Sequence, residues 1–429
     1  MEEPKCECKE LEQKFSRILS AFWGNQLERI KNGAERQVER RNSETHGAQA
    51  LAEPRTILPS DRPCVSLLTA ERPIEALSVV TDLPKRTGGT KMRAYHLEAF
   101  EKIEGILLRE SPKPAPGPHD IVVHVRAASL NRRDIMILEK TYPLPGRQGI
   151  IPLSDGAGEV VDVGEQVTRF KIGDRIIGNY FPKWRDGRLT PDCLDQLGCT
   201  FDGMATQYAL LNQQWATSVP EYLSWEEAAC LSCAGLTAWC SLTGSGALRA
   251  GETVLTLGTG DTSLFAVQLA KAMGCRVIAT TSHDTKAEKL LALGADHVVN
   301  YATNPQWGSE VRDLTGNVGV DLVIETIGPE TIEQSLIAAA RYSEIVVLIW
   351  KSASQSSLVL PSTAYGPKLS TIRRLFVGSR ADLEAFLRAI ELRKIRPVID
   401  RTFGFDDLWG AYRHFMSRSG FGKVVLTGF

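Results

Sequence analysis

The sequence predicts a two-domain α/β chain: a compact barrel of short strands, then a doubly wound parallel sheet, with a helical extension ahead of both. Three observations carry that expectation. The 429 residues are too many for one ordinary core. From Met92 to Ser218, short β runs are cut by Gly and Pro corners, as in Ile121-Val122-Val123-His124-Val125 after Pro112, Pro114, Pro116 and Pro118. After Ser218, apolar strands alternate with helical patterns, which implies a parallel sheet covered on both faces.

Taken in order, residues 1–90 form the extension. Leu11, Phe15, Ile18, Leu19, Phe22, Leu27 and Ile30 recur at roughly helical spacing among Glu, Lys and Arg, so an amphipathic helix is expected. A Ser-, Pro-, Arg- and Thr-rich linker follows over 43–90. Residues 92–218 form the barrel domain, with Gly156–Gly164 as a Gly-punctuated strand and Gly173-Asp174-Arg175-Ile176-Ile177 as a turn into the next. Residues 219–372 form the parallel-sheet domain. Its strands are expected at Thr253–Leu257, Arg276–Thr280, Asp321–Glu325 and Ile345–Ile349, and its helices at Ser263–Met273 and Lys286–Leu293. Residues 373–429 return to the barrel.

Composition excludes several functions. Fifty basic and 51 acidic residues balance, so no global field draws nucleic acid or an anionic membrane. No apolar run approaches the roughly 18–20 residues needed to span a bilayer. The nine cysteines show neither a disulfide framework nor paired zinc spacing, and Cys6 and Cys8 are too few to hold a metal alone. With no apolar signal core, the expected compartment is the cytoplasm.

The strand Thr253–Leu257 runs into Gly258-Thr259-Gly260-Asp261-Thr262-Ser263 and then a helix. Glycines there permit a tight turn and let backbone N–H groups approach a pyrophosphate at the helix N-terminus. At the end of the next strand, Thr280-Thr281-Ser282 with Lys286 replaces the acidic residue that would hold a ribose 2′-hydroxyl. A lysine meets a 2′-phosphate instead, which favours NADP over NAD.

Six motifs fall in order: Leu130-Asn131-Arg132-Arg133-Asp134, Pro152–Val160, Gly173-Asp174-Arg175, Cys233–Trp239, Leu293–His297 and Phe376-Val377-Gly378-Ser379-Arg380. Together they resemble the zinc-independent alcohol-dehydrogenase-like and quinone-reductase-like branch of the medium-chain dehydrogenase/reductase superfamily, over residues 92–429. The resemblance implies a GroES-like catalytic barrel and a Rossmann domain, with Tyr301, Phe376 and Val377 as further cofactor contacts. Where zinc-dependent relatives place Cys and then His-Glu, this chain has Asn131 and Ser154-Asp155. Only Cys233 survives, and one thiolate cannot make a tetrahedral site. No metal is expected.

Relatives usually carry Gly-Thr-Gly-Gly-Val-Ser at the phosphate loop, whereas Asp261 and Thr262 stand here. A carboxylate ~4 Å from a pyrophosphate oxygen would cost roughly 4 kcal/mol, nearly a thousandfold in affinity. Gly-rich turns beyond the fourth and fifth strands of relatives become Ile327-Gly328-Pro329, Arg341-Tyr342-Ser343-Glu344 and Ile349-Trp350-Lys351-Ser352, with Trp350 where a nicotinamide needs room.

Two functional classes and a third remain open. In the first, NADPH reduces an enone, a quinone or a carbonyl of a small hydrophobic substrate. Tyr142 is then the best proton donor and Tyr208 the second, while Asn131 and Asp134 order the loop and Thr237 lines the pocket. In the second, cofactor binding is impaired and the groove catalyses an isomerisation or cyclisation by shape. In the third, a non-catalytic body presents its N-terminal helix to a protein partner. A homodimer is compatible with each.

Overall fold

The computed structural model describes residues 90–244, 248–349 and 357–429. The expected N-terminal helix and linker, Cys6, Cys8 and Trp350 lie outside the described residues.

The first domain grows from short strands, most of which bury one face and leave part of the other to solvent. β1 (Lys91–Leu97) and β2 (Ile106–Pro112) pair antiparallel as a two-stranded sheet. β3 (Asp120–Ser129), β4 (Asp155–Val163), β5 (Arg175–Gly178), β6 (Tyr208–Asn212) and β7 (Ala216–Ser218) belong to a second sheet. β4 can lie tight against β3 because Gly158 has no side chain. A Cβ there would sit 2.3 Å from the carbonyl oxygen of His124. The short helix α1 (Arg132–Leu138) leaves the end of β3 under a capping box made by Asn131 and Asp134.

The second domain is a six-stranded, all-parallel sheet of β8 (Thr253–Thr256), β9 (Arg276–Thr281), β10 (His297–Asn300), β11 (Val320–Glu325), β12 (Ala339–Val347) and β13 (Thr371–Arg374). Its order, β10-β9-β8-β11-β12-β13, reverses direction between β8 and β11. A ligand crevice opens at such a switch point, outside the C-terminal ends of the strands. The helices α2 (Leu236–Thr243), α3 (Asp261–Ala272) and α4 (Asp284–Leu293) flank the sheet. α5 (Arg380–Arg393) starts on a Ser379–Asp382 capping box and packs Phe386, fully buried, against Phe265 and Trp239.

The chain then re-enters the barrel. β14 (Ile399–Gly404) and β15 (Lys423–Thr427) extend the second sheet to β14-β15-β3-β4-β5-β7, with β6 also paired to β3. One strand departs from expectation. Arg341–Glu344, read as a turn, lies inside β12. A register shift against β11 absorbs the irregularity, and Tyr342 there has φ +59° and is exposed. The polar, Gly-free sequence hid a strand because its middle bulges to the surface. No helix among the described residues is long and apolar enough to cross a membrane.

Among the described residues, every buried cluster of both domains is built from Ala94 onward. Removing residues 1–89 is therefore expected to leave a cooperative thermal transition. Calorimetry showing that transition lost would overturn this.

Candidate active site

The nucleotide end starts at the C-terminus of β8. Gly258 turns the chain with φ +74°, and a Cβ at Gly258 or Gly260 would meet nothing within 4 Å. The turn is therefore an open cradle at the N-terminus of the twelve-residue helix α3. Its start is pinned: Ser263 and Thr326 donate their hydroxyls to the Leu257 carbonyl at 2.6 and 2.9 Å, and Gly258 N donates to Thr280 Oγ1. Beyond β11, the Ile327-Gly328 turn hangs on the buried Glu325 carboxylate, which accepts both backbone N–H groups and the hydroxyls of Thr331 and Ser335.

Asp261 does not stand as a bare carboxylate over this cradle, as its place in the loop suggested. Its Oδ1 accepts the Thr262 N–H at 3.0 Å, and its Oδ2 lies 3.5 Å from Nζ of Lys423 on β15. Lys286 also departs from expectation. It donates to the Gly420 carbonyl at 2.9 Å instead of standing free at the ribose position. Beside it, Ser282 hydrogen-bonds His283 Nδ1 at 2.7 Å, and Tyr301 is exposed at the end of β10. His283 was not foreseen. Its signal was its place directly after Ser282.

Lys423 is fully buried and organises the seam between the domains. It donates to the Leu130 carbonyl at 2.8 Å and to Asn131 Oδ1 at 2.7 Å, and it lies 3.7 Å from Asp155 Oδ2. Burial alone would drive the ammonium towards neutrality, but Asp261 and Asp155 hold it above the ordinary lysine range. Asp155, equally buried, accepts the Ser154 hydroxyl at 2.9 Å and the Cys233 N–H at 3.3 Å, and burial raises its carboxyl against the pull of Lys423. Cys233 is a partly exposed thiol, raised by burial and then by Asp155. Sequence reasoning missed Lys423. The available signal was one lysine heading the apolar run Val424-Val425-Leu426, with no nearby partner in sequence.

The third part is aromatic. Tyr142 donates to Gln196 Oε1 at 2.8 Å, and its oxygen lies 2.6 Å from that of Tyr180. Arg133, buried, donates to the same Gln196 oxygen and to the Leu197 carbonyl, with its guanidinium over both tyrosine rings at 5.4 and 4.8 Å. Because Arg133 can only donate, the Gln196 oxygen must face it. Tyr142 therefore donates to Gln196, and Tyr180 donates to Tyr142. Burial raises the Tyr142 hydroxyl and Arg133 lowers it, with the rise prevailing. Phe376 packs its ring on Tyr142, Tyr180 and Phe181, carried by a loop in which buried Val377 has φ +59°. A β-branched residue is strained there, and the packing of Phe376 accompanies that strain. A surface cavity of about 370 Å³, lined by Leu144, Lys183, Leu194, Asp195 and Thr200, lies against the segments carrying Tyr142 and Gln196.

The predicted catalytic residues divide. Asn131 and Tyr142 join the seam and the aromatic cluster. Asp134 caps α1 through the Asn131 N–H and pairs with Arg133, and burial pushes its carboxyl up to about 6 despite that pairing. Thr237 spends its hydroxyl on the Cys233 carbonyl one helical turn back. Tyr208 is not in the site: it stacks on His124 at 4.9 Å, under the Lys113 ammonium, on β6. Alternation along β6 had two faces to offer, and the one carrying Tyr208 points away.

These residues do not fit a catalytic zinc. A hydroxyl, an amide and one thiol replace the donor set, and the buried Lys423 ammonium holds Asn131 at a ligand position, where a second cation would be repelled. Among the described residues, no group of three or more His, Cys, Asp and Glu side chains is placed to hold a metal ion.

Comparison with known proteins agrees with the architecture. Residues 117–221 match the alcohol dehydrogenase GroES-like domain, and 262–391 match the family model described as zinc-binding dehydrogenase. A zinc-type alcohol dehydrogenase-like protein of Schizosaccharomyces pombe is 40% identical over 72% of this chain and 91% of its own. An acryloyl-coenzyme A reductase of Metallosphaera sedula is 30% identical over 76% of this chain and 97% of its own. Among solved structures, an NAD-dependent alcohol dehydrogenase superposes with a TM-score of 0.72 at 32% identity, covering 79% of this chain and all of the other. The chain belongs to the medium-chain dehydrogenase/reductase superfamily, with a GroES-like domain and a Rossmann domain. Within that superfamily its relatives make it an oxidoreductase-type protein.

Replacing Lys423 with Met would strand Asp155 in the interior. The expected loss is about 3–5 kcal/mol, the usual cost of removing one partner of a buried pair. Denaturant midpoints unchanged from wild type would show that Lys423 is not the organising charge.

Proposed function

We propose that the chain is a zinc-independent, NADPH-dependent oxidoreductase acting on an activated C=C bond (an enone or quinone) or on the carbonyl of a small, largely hydrophobic molecule. The observation carrying this reading is the open Gly258–Gly260 cradle at the head of α3, at the switch point of the parallel sheet. Gly258, Gly260, Thr262 and Ser263 would hold the cofactor's diphosphate. The absence of an acidic residue at Thr281-Ser282, with Lys286 and His283 adjacent, supports a 2′-phosphate. The acryloyl-coenzyme A reductase among the relatives supports C=C reduction, and the alcohol dehydrogenases support carbonyl chemistry.

When bound, the cofactor supplies hydride. The chain's own residues do the rest. Phe181, Phe376 and Trp184 keep the site apolar around the two tyrosines. Tyr142, whose hydroxyl proton rests on the Gln196 oxygen, would turn it to the substrate oxygen on which negative charge develops, giving up that bond. Arg133, lying over both rings, favours negative charge on that pair and so eases proton loss from Tyr142. Tyr180 donates its hydroxyl to the Tyr142 oxygen and so steadies that oxygen when its own proton leaves. The cavity beside Leu144 and Thr200 offers the approach. A non-redox reading of the same groove rests on Asp261 in the phosphate loop.

NADPH titrated by fluorescence should bind more tightly than NADH, and an enone, quinone and aldehyde panel should consume it. Substrate conversion without any cofactor binding would end the redox reading. Tyr142→Phe should lower kcat by roughly 10²–10⁴-fold with cofactor affinity unchanged; an unchanged kcat removes Tyr142 as donor. Elemental analysis should find no stoichiometric zinc. About one zinc per chain, lost together with activity on chelation, would overturn that part.

A further inference from the structure

The nucleotide groove already holds its own chain at two points, and both belong to one segment, Gly420–Lys423. At the phosphate loop, the Asp261 carboxylate uses one oxygen for the Thr262 N–H and turns the other towards the Lys423 ammonium. A backbone N–H at a helix start and a buried cation are the two kinds of group that bind a phosphate oxygen. At the ribose side, the Lys286 ammonium is taken by the Gly420 carbonyl, and Lys289 lies over the Phe421 ring at 5.4 Å.

Charge makes the arrangement conditional. Lys423 faces two carboxylates, Asp155 and Asp261, so this buried group carries one more negative charge than positive. A diphosphate approaching Gly258 and Gly260 meets an anion already seated. It cannot share Lys423 with Asp261 without adding to that excess, because like charges a few ångströms apart repel strongly where solvent is scarce. Asp155 cannot yield, being fully buried on β4. Asp261 can: its side chain is 19% exposed, and the space over the two glycines is open.

We infer that Asp261 is an internal stand-in for a cofactor phosphate, and that a dinucleotide seats by exchanging its diphosphate for this carboxylate while the Gly420–Lys423 segment gives up Lys286. The inference rests on the nicotinamide-dependent reading for the identity of the ligand, but not for the existence of the anion seat. The exchange lowers affinity for every ligand that carries the diphosphate and leaves neutral nucleosides untouched. It also makes the 2′-phosphate compete with a backbone carbonyl for Lys286.

The test uses the full chain and isothermal titration with ADP, adenosine, 5′-AMP and adenosine 2′,5′-bisphosphate. Asp261→Asn keeps an oxygen for the Thr262 N–H while removing the charge, so it should fold as wild type does in a thermal melt. ADP should tighten by roughly tenfold or more, with adenosine unchanged. Asp261→Gly, which removes the side chain and its charge together, should do the same. Lys286→Gln should abolish the preference for adenosine 2′,5′-bisphosphate over 5′-AMP. ADP affinity unchanged in both Asp261 variants, or adenosine tightening in step with ADP, would overturn the exchange. An undiminished preference in Lys286→Gln would overturn the role given to Lys286. Neither ADP nor adenosine carries a nicotinamide, so the outcome is separate from hydride transfer: tighter ADP with no NADPH turnover would sink the redox reading alone.

Discussion

The buried ammonium of Lys423 ties the two halves of this molecule together at the polar part of their seam. A lysine without solvent survives as a cation only if its N–H groups find oxygen and its charge finds an opposite. Here the oxygens come from Leu130 and Asn131 at the turn into α1, and the charges from Asp155 on β4 and Asp261 at the head of α3. Two barrel segments and one Rossmann helix therefore converge on one atom carried by a third barrel segment. The segment that delivers it, β15, is among the last elements of the chain. The C-terminal return to the barrel is thus a condition for closing the seam as well as for completing a sheet.

From this point, two chemistries separate. Towards α3 lies a seat for negative charge, built on glycines and a helix start. Towards the barrel interior lies a hydroxyl pair backed by Arg133 and Gln196. Asn131 and Asp155 join them, since each touches Lys423 and each also orders the loop behind it: Asn131 through the α1 cap, Asp155 through Ser154 and Cys233. Displacing Asp261 would change the electrostatic surroundings of Lys423, and through it those of the residues that set the barrel side.

The parallel sheet was legible in the sequence because strands such as Thr253–Thr256 and Val320–Glu325 are apolar on both faces and end in turn signals. The glycine cradle was legible for the same reason: strand, Gly-x-Gly and helix follow without a gap. What escaped depends on distance in sequence. Asp261 and Lys423 are 162 positions apart, and neither advertises the other, so Asp261 read as an unpaired carboxylate. Arg341–Glu344 escaped because a bulged strand carries no alternation. Tyr208 was misplaced because a tyrosine on a strand has an even choice of faces. Gln196 and Tyr180 went unnoticed because only the fold brings them to Tyr142, from 54 and 38 residues away.

The nature of the resident cation constrains the chemistry. A catalytic zinc is a dication with an open position, able to polarise a substrate oxygen directly. An ammonium carries one charge and three donors. Two of those donors are spent on Leu130 and Asn131, and the third faces Asp261 and Asp155, so none is left for a substrate. Lys423 can position, but it cannot polarise. In the proposed reaction, stabilising an oxyanion would fall to a hydroxyl with a second hydroxyl behind it, and Tyr142, with Tyr180 at 2.6 Å, is such a group. Its proton is held firmly by burial, so the hydroxyl is strongest as a donor when negative charge has already built on the substrate. That order, charge first and proton after, is what hydride addition to a conjugated or carbonyl carbon produces.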